Sequence, residues 1–264
     1  MTILITGARG AIARALHDQL AANGIPHRLA SRSASAAGID VAVDFNRPES
    51  LPAALDGIDK IFVYAADGIE HLVEAAERAE VARIVLVSSL STALPDAADN
   101  PIAAHHLAAE RCLTASTIPA TFLRPGAFAT NSRMWATSIR ADGIAEVPYP
   151  EARLDSIHEA DIADVAFAAL TEDGHEGKAY ELTGPEFLSQ REQVALIGAT
   201  LGRQIAVRDL DREAAEKFLP TSVLDMFAAA EQGELADWPS SQDVTGRPSR
   251  SFATWAADHI RDFS

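Results

Sequence analysis

The stretch Thr6-Gly7-Ala8-Arg9-Gly10-Ala11-Ile12-Ala13 closes a β-branched run, Thr2 to Thr6, and opens a helical one. Glycine at position 7 permits a tight turn, and glycine at position 10 lets the backbone approach a ligand closely. A helix starting just beyond offers free N–H groups and the positive end of its dipole. Those are the requirements of a bound pyrophosphate, so Thr6, Gly7, Arg9, Gly10, Ala11 and Ile12 are expected to hold one. Ala13 stands where a third glycine often packs helix against strand. The pattern also suits a plain strand–turn–helix connection; its place between a strand and a helix favours the nucleotide.

The end of the second strand sharpens the expectation. A site that prefers NAD puts Asp or Glu about 20 residues past the glycines, on the ribose hydroxyls. Here that place reads Ala30-Ser31-Arg32-Ser33. No carboxylate is present; Arg32 can pair with a 2′-phosphate while Ser31 donates a hydrogen bond. NADP(H) is therefore expected over NAD(H), the alternative being that Arg32 is a solvated loop residue. Asp44 can accept from an adenine amino group with Phe45 beside the ring. Ala65-Ala66 and Ser88-Ser89 end the next two strands, and ligands of parallel sheets bind at such strand ends.

The elements that must position these residues follow from hydrophobic spacing. Strands are expected at Thr2–Thr6, His27–Ser31, Ile39–Phe45, Ile58–Ala65, Arg83–Ser88 and Ala120–Leu123, and helices at Ala11–Ala22, Ile69–Ala82 and Ile102–Ala115. The strands are continuous apolar runs alternating with helices, the signature of a parallel sheet covered on both faces. From Pro125 the rhythm changes. A helix at Asn131–Ala141 is followed by a Gly/Pro-rich stretch from Gly143 to Pro150, a helix at Glu159–Leu170 and a strand at Lys178–Leu182. Beyond Gly184-Pro185 come three or four helices and one strand at Gln204–Arg208. The expected division is a nucleotide-binding domain of residues 1–125, rejoined by the strand and helix of 155–183, and a small lobe of 126–154 and 184–264.

The chain has 264 residues and a formal net charge of −16. So acidic a surface argues against nucleic acid and anionic membranes as partners. One cysteine, Cys112, rules out an intrachain disulfide and a cysteine-based metal site and fits a reducing compartment. Neither a signal peptide nor a bilayer-length apolar run is legible, so a cytoplasmic protein is expected. His105-His106, and His158 with Asp161, offer too few convergent ligands for a metal. No Gly-x-Ser-x-Gly elbow supports a serine hydrolase.

The segments TGARGAIA, ASRS, VDF, VSSL, HHLAAERCLTASTIPATFLRPGAFATN and GHEGKAYELTG, with the closing TGRPSRSFATWAADHI, resemble the NmrA-like branch of the atypical short-chain dehydrogenase/reductases over nearly the whole chain. The resemblance implies a Rossmann-type doubly wound parallel sheet with a small, discontinuous C-terminal lobe, and NADP(H) held without flavin or metal. It implies that Pro125, Gly126 and Phe128 run beside the nicotinamide. Phe128, Asn131, Met134 and Trp135, with Phe187 and Phe227 as further candidates, are expected to line a substrate pocket, since mostly apolar or aromatic side chains suit a flat ring; the other reading is that they are core of the lobe. Branch members include quinone reductases, phenolic ether reductases and proteins that only sense the NADP redox state. The chain departs from the superfamily's Tyr-x-x-x-Lys pair: the register puts Ile102 and His106 there, and Tyr64, Tyr149 and Tyr180 lie elsewhere in the sequence. The usual ketone–alcohol chemistry is thus not expected. Hydride transfer to a quinone or similar conjugated carbonyl is less demanding, because its product anion is stabilised. His106 becomes the candidate catalytic residue, holding the nicotinamide ribose or donating a proton, with a structural histidine as the other reading. Glu110, one turn on, either orients His106 or pairs with Arg111 or Arg124 at the surface. The competing function is a redox sensor that binds NADP(H) and acts through a protein partner. The chain is expected as a monomer or homodimer acting on a small molecule.

Overall fold

The computed structural model describes residues 1–33, 38–95, 97–234 and 242–264. The chain divides into two compact units, Met1–Pro125 with Glu159–Leu182, and Gly126–His158 with Thr183–Ser264. The first unit alternates strands and helices: β1 (Ile3–Ile5), α1 (Ala11–Ala22), β2 (His27–Ser31), β3 (Val41–Ala42), α2 (Leu51–Leu55), β4 (Lys60–Tyr64), α3 (Ile69–Arg78), β5 (Arg83–Val87), α4 (Pro101–Ala115) and β6 (Ala120–Pro125). The chain then enters the second unit through a 3₁₀ segment (Ala129–Trp135), α5 (Ala136–Asp142), β7 (Ile144–Pro148) and β8 (Arg153–Leu154). It returns to the first with α6 (Glu159–Thr171) and β9 (Ala179–Leu182). It ends in the second with β10 (Leu188–Ser189), α7 (Gln190–Thr200), β11 (Ala206–Leu210) and further short helices.

Seven strands form one sheet in the order β3-β2-β1-β4-β5-β6-β9, with every neighbouring pair parallel. The order reverses at β1: β2 lies on one side and β4 on the other. In such sheets ligands sit outside the carboxyl ends of the strands at this reversal. The central strands are apolar on both faces because both are covered; Ile3, Leu4, Ile5, Ile61, Phe62 and Val63 have no exposed surface. This is the Rossmann-type architecture.

Helix α1 buries Ile12, Ala13, Leu16 and Leu20, each fully buried leucine contributing about 1.5–3 kcal/mol. It packs on α6, where Gln19 Nε2 donates to Asp164 Oδ1 at 2.7 Å. The last carbonyls of any helix lack intrahelical donors, and cations from the sheet serve those of α6. Lys60 Nζ donates to Leu170 O at 2.6 Å, and Arg83 donates to Ala169 O at 2.7 Å and to Glu172 O at 2.5 Å. Arg83 also pairs with Glu176. Burial, then the like charge of Arg83, pushes the Lys60 amine below its ordinary range.

The second unit has its own core around Trp135, Ile139, Val147, Val194, Ile197, Phe252, Trp255 and Phe263. β7 pairs in parallel with β11, and β8 pairs antiparallel with β10. A capping box opens α7: Ser189 Oγ accepts from Glu192 N–H at 3.1 Å, and Glu192 Oε2 accepts from Ser189 N–H at 2.7 Å.

Several expected elements differ. The run Ile39–Phe45 yields only Val41–Ala42 as strand, because Ser50 Oγ bonds Asp44 through both its N–H (3.2 Å) and its carbonyl (3.1 Å) and turns the chain away. The helix expected over Asn131–Ala141 starts as 3₁₀ and becomes α-helical only at Ala136, its opening tethered where Ala129 N–H donates to Ile157 O at 2.9 Å. The stretch Gly143–Pro150 contains β7, whose Ala145 and Val147 are fully buried; flanking glycine and prolines disguise it. The strand expected at Gln204–Arg208 runs from Ala206 to Leu210.

A candidate dinucleotide cleft

Within the first unit a cleft of about 490 Å³ opens at the carboxyl ends of β1, β2 and β4, within the roughly 300–1,000 Å³ usual for ligand pockets. Thr6, Gly7, Arg9, Ser31, Arg32, Asp44, Phe45 and Ala66 line it, together with Asn46, Tyr64, Asp67 and His105, which sequence reasoning did not select.

The turn is built as the glycines require. Gly7 has φ +59°, a left-handed conformation costly for other residues. Gly10 N–H donates to Gly7 O at 2.8 Å, and Gly10, extended at φ −69° and ψ 153°, caps α1 with no side chain. Thr6 Oγ1 donates to Phe62 O at 3.1 Å, fixing the turn to β4. Among the described residues nothing accepts from the N–H groups of Ala11 and Ile12, which open α1 just past the turn; Gly10, Ala11 and Ile12 are themselves not among the residues lining the cleft. Arg9 and Arg32 are exposed cations on the lining, and Ser31 is buried beside Arg32.

The Asp44-Phe45-Asn46 loop is held from outside. Gly68 has φ +78°, and a Cβ there would meet the Phe45 carbonyl carbon at 2.8 Å. His71 Nδ1 bonds Phe45 O at 2.8 Å. Asp44 Oδ1 accepts from Asn46 N–H at 3.1 Å. Gly68 and His71 escaped the sequence reading because nothing in their local pattern announces a contact more than twenty residues back.

Other selected residues lie differently. Ser88 is buried and its Oγ donates to Glu110 Oε1 at 2.6 Å, so its hydroxyl serves the core. Ser89 caps the following 3₁₀ turn by accepting from Ser91 N–H at 3.2 Å. Ala65 packs against the main core. Pro125 ends β6 in the first unit; Gly126 and Phe128 belong to the second. Phe128, Asn131, Met134 and Trp135 do come together there, with Phe227, around a cavity of about 10 Å³. That is room for about one water and not for a ring. Phe187 is exposed and away from it.

His106 is half-buried on α4, and its Nδ1 is buried with no hydrogen-bond partner among the described residues. Burial, then the neighbouring His105, pushes its pKa below the ordinary histidine range, against the opposing pull of Glu110. The imidazole is therefore neutral at pH 7. His105, not His106, faces the cleft, with its Nδ1 3.6 Å from Asp67 Oδ1. Ile102, at the superfamily's tyrosine position, is an exposed aliphatic side chain.

Glu110 is spent inside the protein and not at the surface. It is 6% exposed, and its Oε1 accepts from Ser88 Oγ and from Arg124 Nε at 3.0 Å, its Oε2 from Arg124 Nη2 at 2.7 Å. Thr92 Oγ1 donates to the same carboxylate at 3.2 Å, and Arg124 Nη1 reaches Glu181 Oε1 at 3.0 Å. No bond to His106 or Arg111 is made. The network ties β5, α4, β6 and β9 together at the carboxyl edge of the sheet.

A doubly wound parallel sheet with a glycine turn at its reversal point defines a dinucleotide-binding protein. The chain belongs to the NAD(P)H-binding family, whose model matches residues 7–173. It is 34% identical over 280 aligned positions to the (4-alkanoyl-5-oxo-2,5-dihydrofuran-3-yl)methyl phosphate reductase of Streptomyces griseus, covering 99% of each chain. It is 33% identical to the NAD(P)H azoreductase of Xenophilus azovorans, again over 99% of both. Among solved structures, an NADPH-dependent quinone oxidoreductase of Escherichia coli superposes with a TM-score of 0.78 at 26% identity, over 97% of this chain and 98% of that one. The NmrA-like resemblance read from the motifs accords with these relatives. No helix among the described residues is long and apolar enough to cross a membrane.

Proposed function

We propose that the protein is an NADPH-dependent reductase that passes hydride directly to a quinone or similar conjugated carbonyl. The observation that carries this is the cleft, with Arg9, Ser31 and Arg32 lining it, no carboxylate at the end of β2, and open N–H groups at the start of α1 just past its glycine turn. That donor set suits a diphosphate and a 2′-phosphate. The relatives' names add that an azo group and a dihydrofuranone carrying an acyl group are reduced by similar chains.

A reduced nicotinamide supplies the hydride when bound. The chain's own residues bind and orient. Ala11 and Ile12 N–H and Arg9 hold the diphosphate; Ser31 and Arg32 hold the 2′-phosphate; Asp44 and Phe45 meet the adenine. Neutral His106 holds a ribose hydroxyl; as an uncharged ring it has no acidic proton to give, so the conjugated product anion takes its proton from water. With isoleucine at position 102 no phenol donates there, which favours an acceptor whose anion is stabilised by conjugation. Positioning is the main contribution.

The test is loss of NADPH absorbance with purified, flavin-free protein and a panel of small quinones and enones. Turnover is expected. Tight NADPH binding with no turnover on any acceptor overturns the reductase in favour of a redox sensor. Arg32→Ala is expected to weaken NADPH at least tenfold more than NADH, an ion pair to phosphate being worth roughly 1.5–3 kcal/mol; equal losses remove the 2′-phosphate assignment.

A further inference from the structure

The space above the glycine turn is occupied in this chain. Tyr64, the last residue of β4, lies across it: a Cβ on Gly7 would meet the tyrosine ring at 2.8 Å, and a Cβ on Gly10 would meet the hydroxyl at 3.0 Å. The two glycines thus make room for a phenol as well as for a turn. The hydroxyl oxygen accepts from Ala13 N–H at 3.1 Å, satisfying the third donor of α1. A phenol has one proton, and with the oxygen already accepting, that proton points to another acceptor. Among the described residues none receives it. Tyr64 lines the cleft with Thr6, Gly7 and Arg9, and Arg14 lies close enough to act on the phenol through its charge.

The geometry points to Tyr64 as a diphosphate-binding residue, its O–H donating to a phosphate oxygen next to the open Ala11 and Ile12 N–H groups. The phenol takes over the part otherwise given to bare backbone above Gly10: it relays the helix N-terminus outward by one group, accepting from Ala13 and donating to the anion. The inference rests on the nicotinamide dinucleotide reading of the cleft. The phenol keeps its proton under any ordinary condition, since burial pushes its pKa up to about 12, so the donor is permanent.

Tyr64→Phe keeps the ring that fills the turn and removes the donor. Affinities of wild type and variant for NADPH, NADH and adenosine 2′-monophosphate are measured by calorimetry. NADPH and NADH are expected to weaken by the same factor, about ten- to a hundredfold for a hydrogen bond to a charged group. Adenosine 2′-monophosphate, which carries no diphosphate, is expected to bind as before. Unchanged NADPH affinity, or an equal loss for all three, overturns the inference. If the wild type binds neither NADPH nor NADH, the cofactor reading itself fails, a different outcome. A second measurement needs no variant: inorganic pyrophosphate added to the wild type is expected to give a tyrosine ultraviolet difference spectrum, and binding without one overturns the assignment.

Discussion

Replacing Glu110 by glutamine removes one charge from the buried knot at the carboxyl edge of the sheet, and its cost can be worked out bond by bond. The carboxylate accepts four hydrogen bonds: from Ser88 Oγ, Thr92 Oγ1, Arg124 Nε and Arg124 Nη2. An amide offers one accepting oxygen. Whichever way it turns, its NH₂ faces a donor, either Arg124 Nη2 or the cluster of Ser88, Thr92 and Arg124 Nε. Breaking a buried ion pair from one side costs about 3–5 kcal/mol. Arg124 keeps Glu181 at 3.0 Å and its side chain is 19% exposed, which brings the expectation to about 2–3 kcal/mol. For a chain of this size that is a fall of roughly 4–6 °C in Tm. Urea unfolding followed by far-ultraviolet circular dichroism is the assay. Tryptophan fluorescence is not, because all three tryptophans, Trp135, Trp238 and Trp255, fall in the sequence range of the other unit. The double variant Glu110→Gln/Arg124→Met should recover part of the loss, since it removes the mismatched cation too. A single-variant cost below about 0.5 kcal/mol, the scale of a neutral surface change, refutes the reasoning.

The same carboxylate sets a pH dependence. Burial alone would raise its pKa, but the hydrogen bonds of Arg124 and Ser88, the charge of Arg124 and the bond from Thr92 outweigh that and hold it below the ordinary glutamate range. A depressed carboxyl contributes stability that is fully present above the unfolded-chain value and is lost as pH falls through the folded one. Wild-type and Glu110→Gln midpoints should therefore converge below pH 4.5; a gap that stays constant there would contradict the assignment. Gly68→Ala should cost about 1–2 kcal/mol for the left-handed backbone alone and, by pushing Phe45 inward, weaken NADPH in calorimetry. Unaltered affinity would mean that the Asp44–Asn46 loop does not meet the ligand.

The parts of the fold that local pattern dictates were legible. β1, β2, β5 and the helices α1 and α4 are apolar runs with clear stops, such as Asn23-Gly24 after α1 and Asn100, whose Oδ1 caps α4. β7 was not, because its alternation lies between a glycine and two prolines. The backbone of the candidate site, Thr6 to Gly10 with Ser31, Arg32, Asp44 and Phe45, was legible because glycine spacing and strand ends are written in consecutive residues. Tyr64, His105 and Gly68 were not, since each acts on residues more than 20 positions away in the sequence. Glu110 was read in the right neighbourhood but at the wrong depth: helical spacing cannot say whether a carboxylate faces water or a buried arginine.

The excursion between β6 and α6 has a consequence for synthesis. The nucleotide half of the molecule is not finished when Pro125 leaves the ribosome; its last helix and strand arrive only with Leu182. At about 5–20 residues per second that wait is roughly 3–11 s. During it β6 presents a bare sheet edge, a template for pairing with other chains, and the face of α1 that α6 will cover stands open. A polypeptide cut after Pro125 is thus not a minimal nucleotide-binding module but an adhesive intermediate.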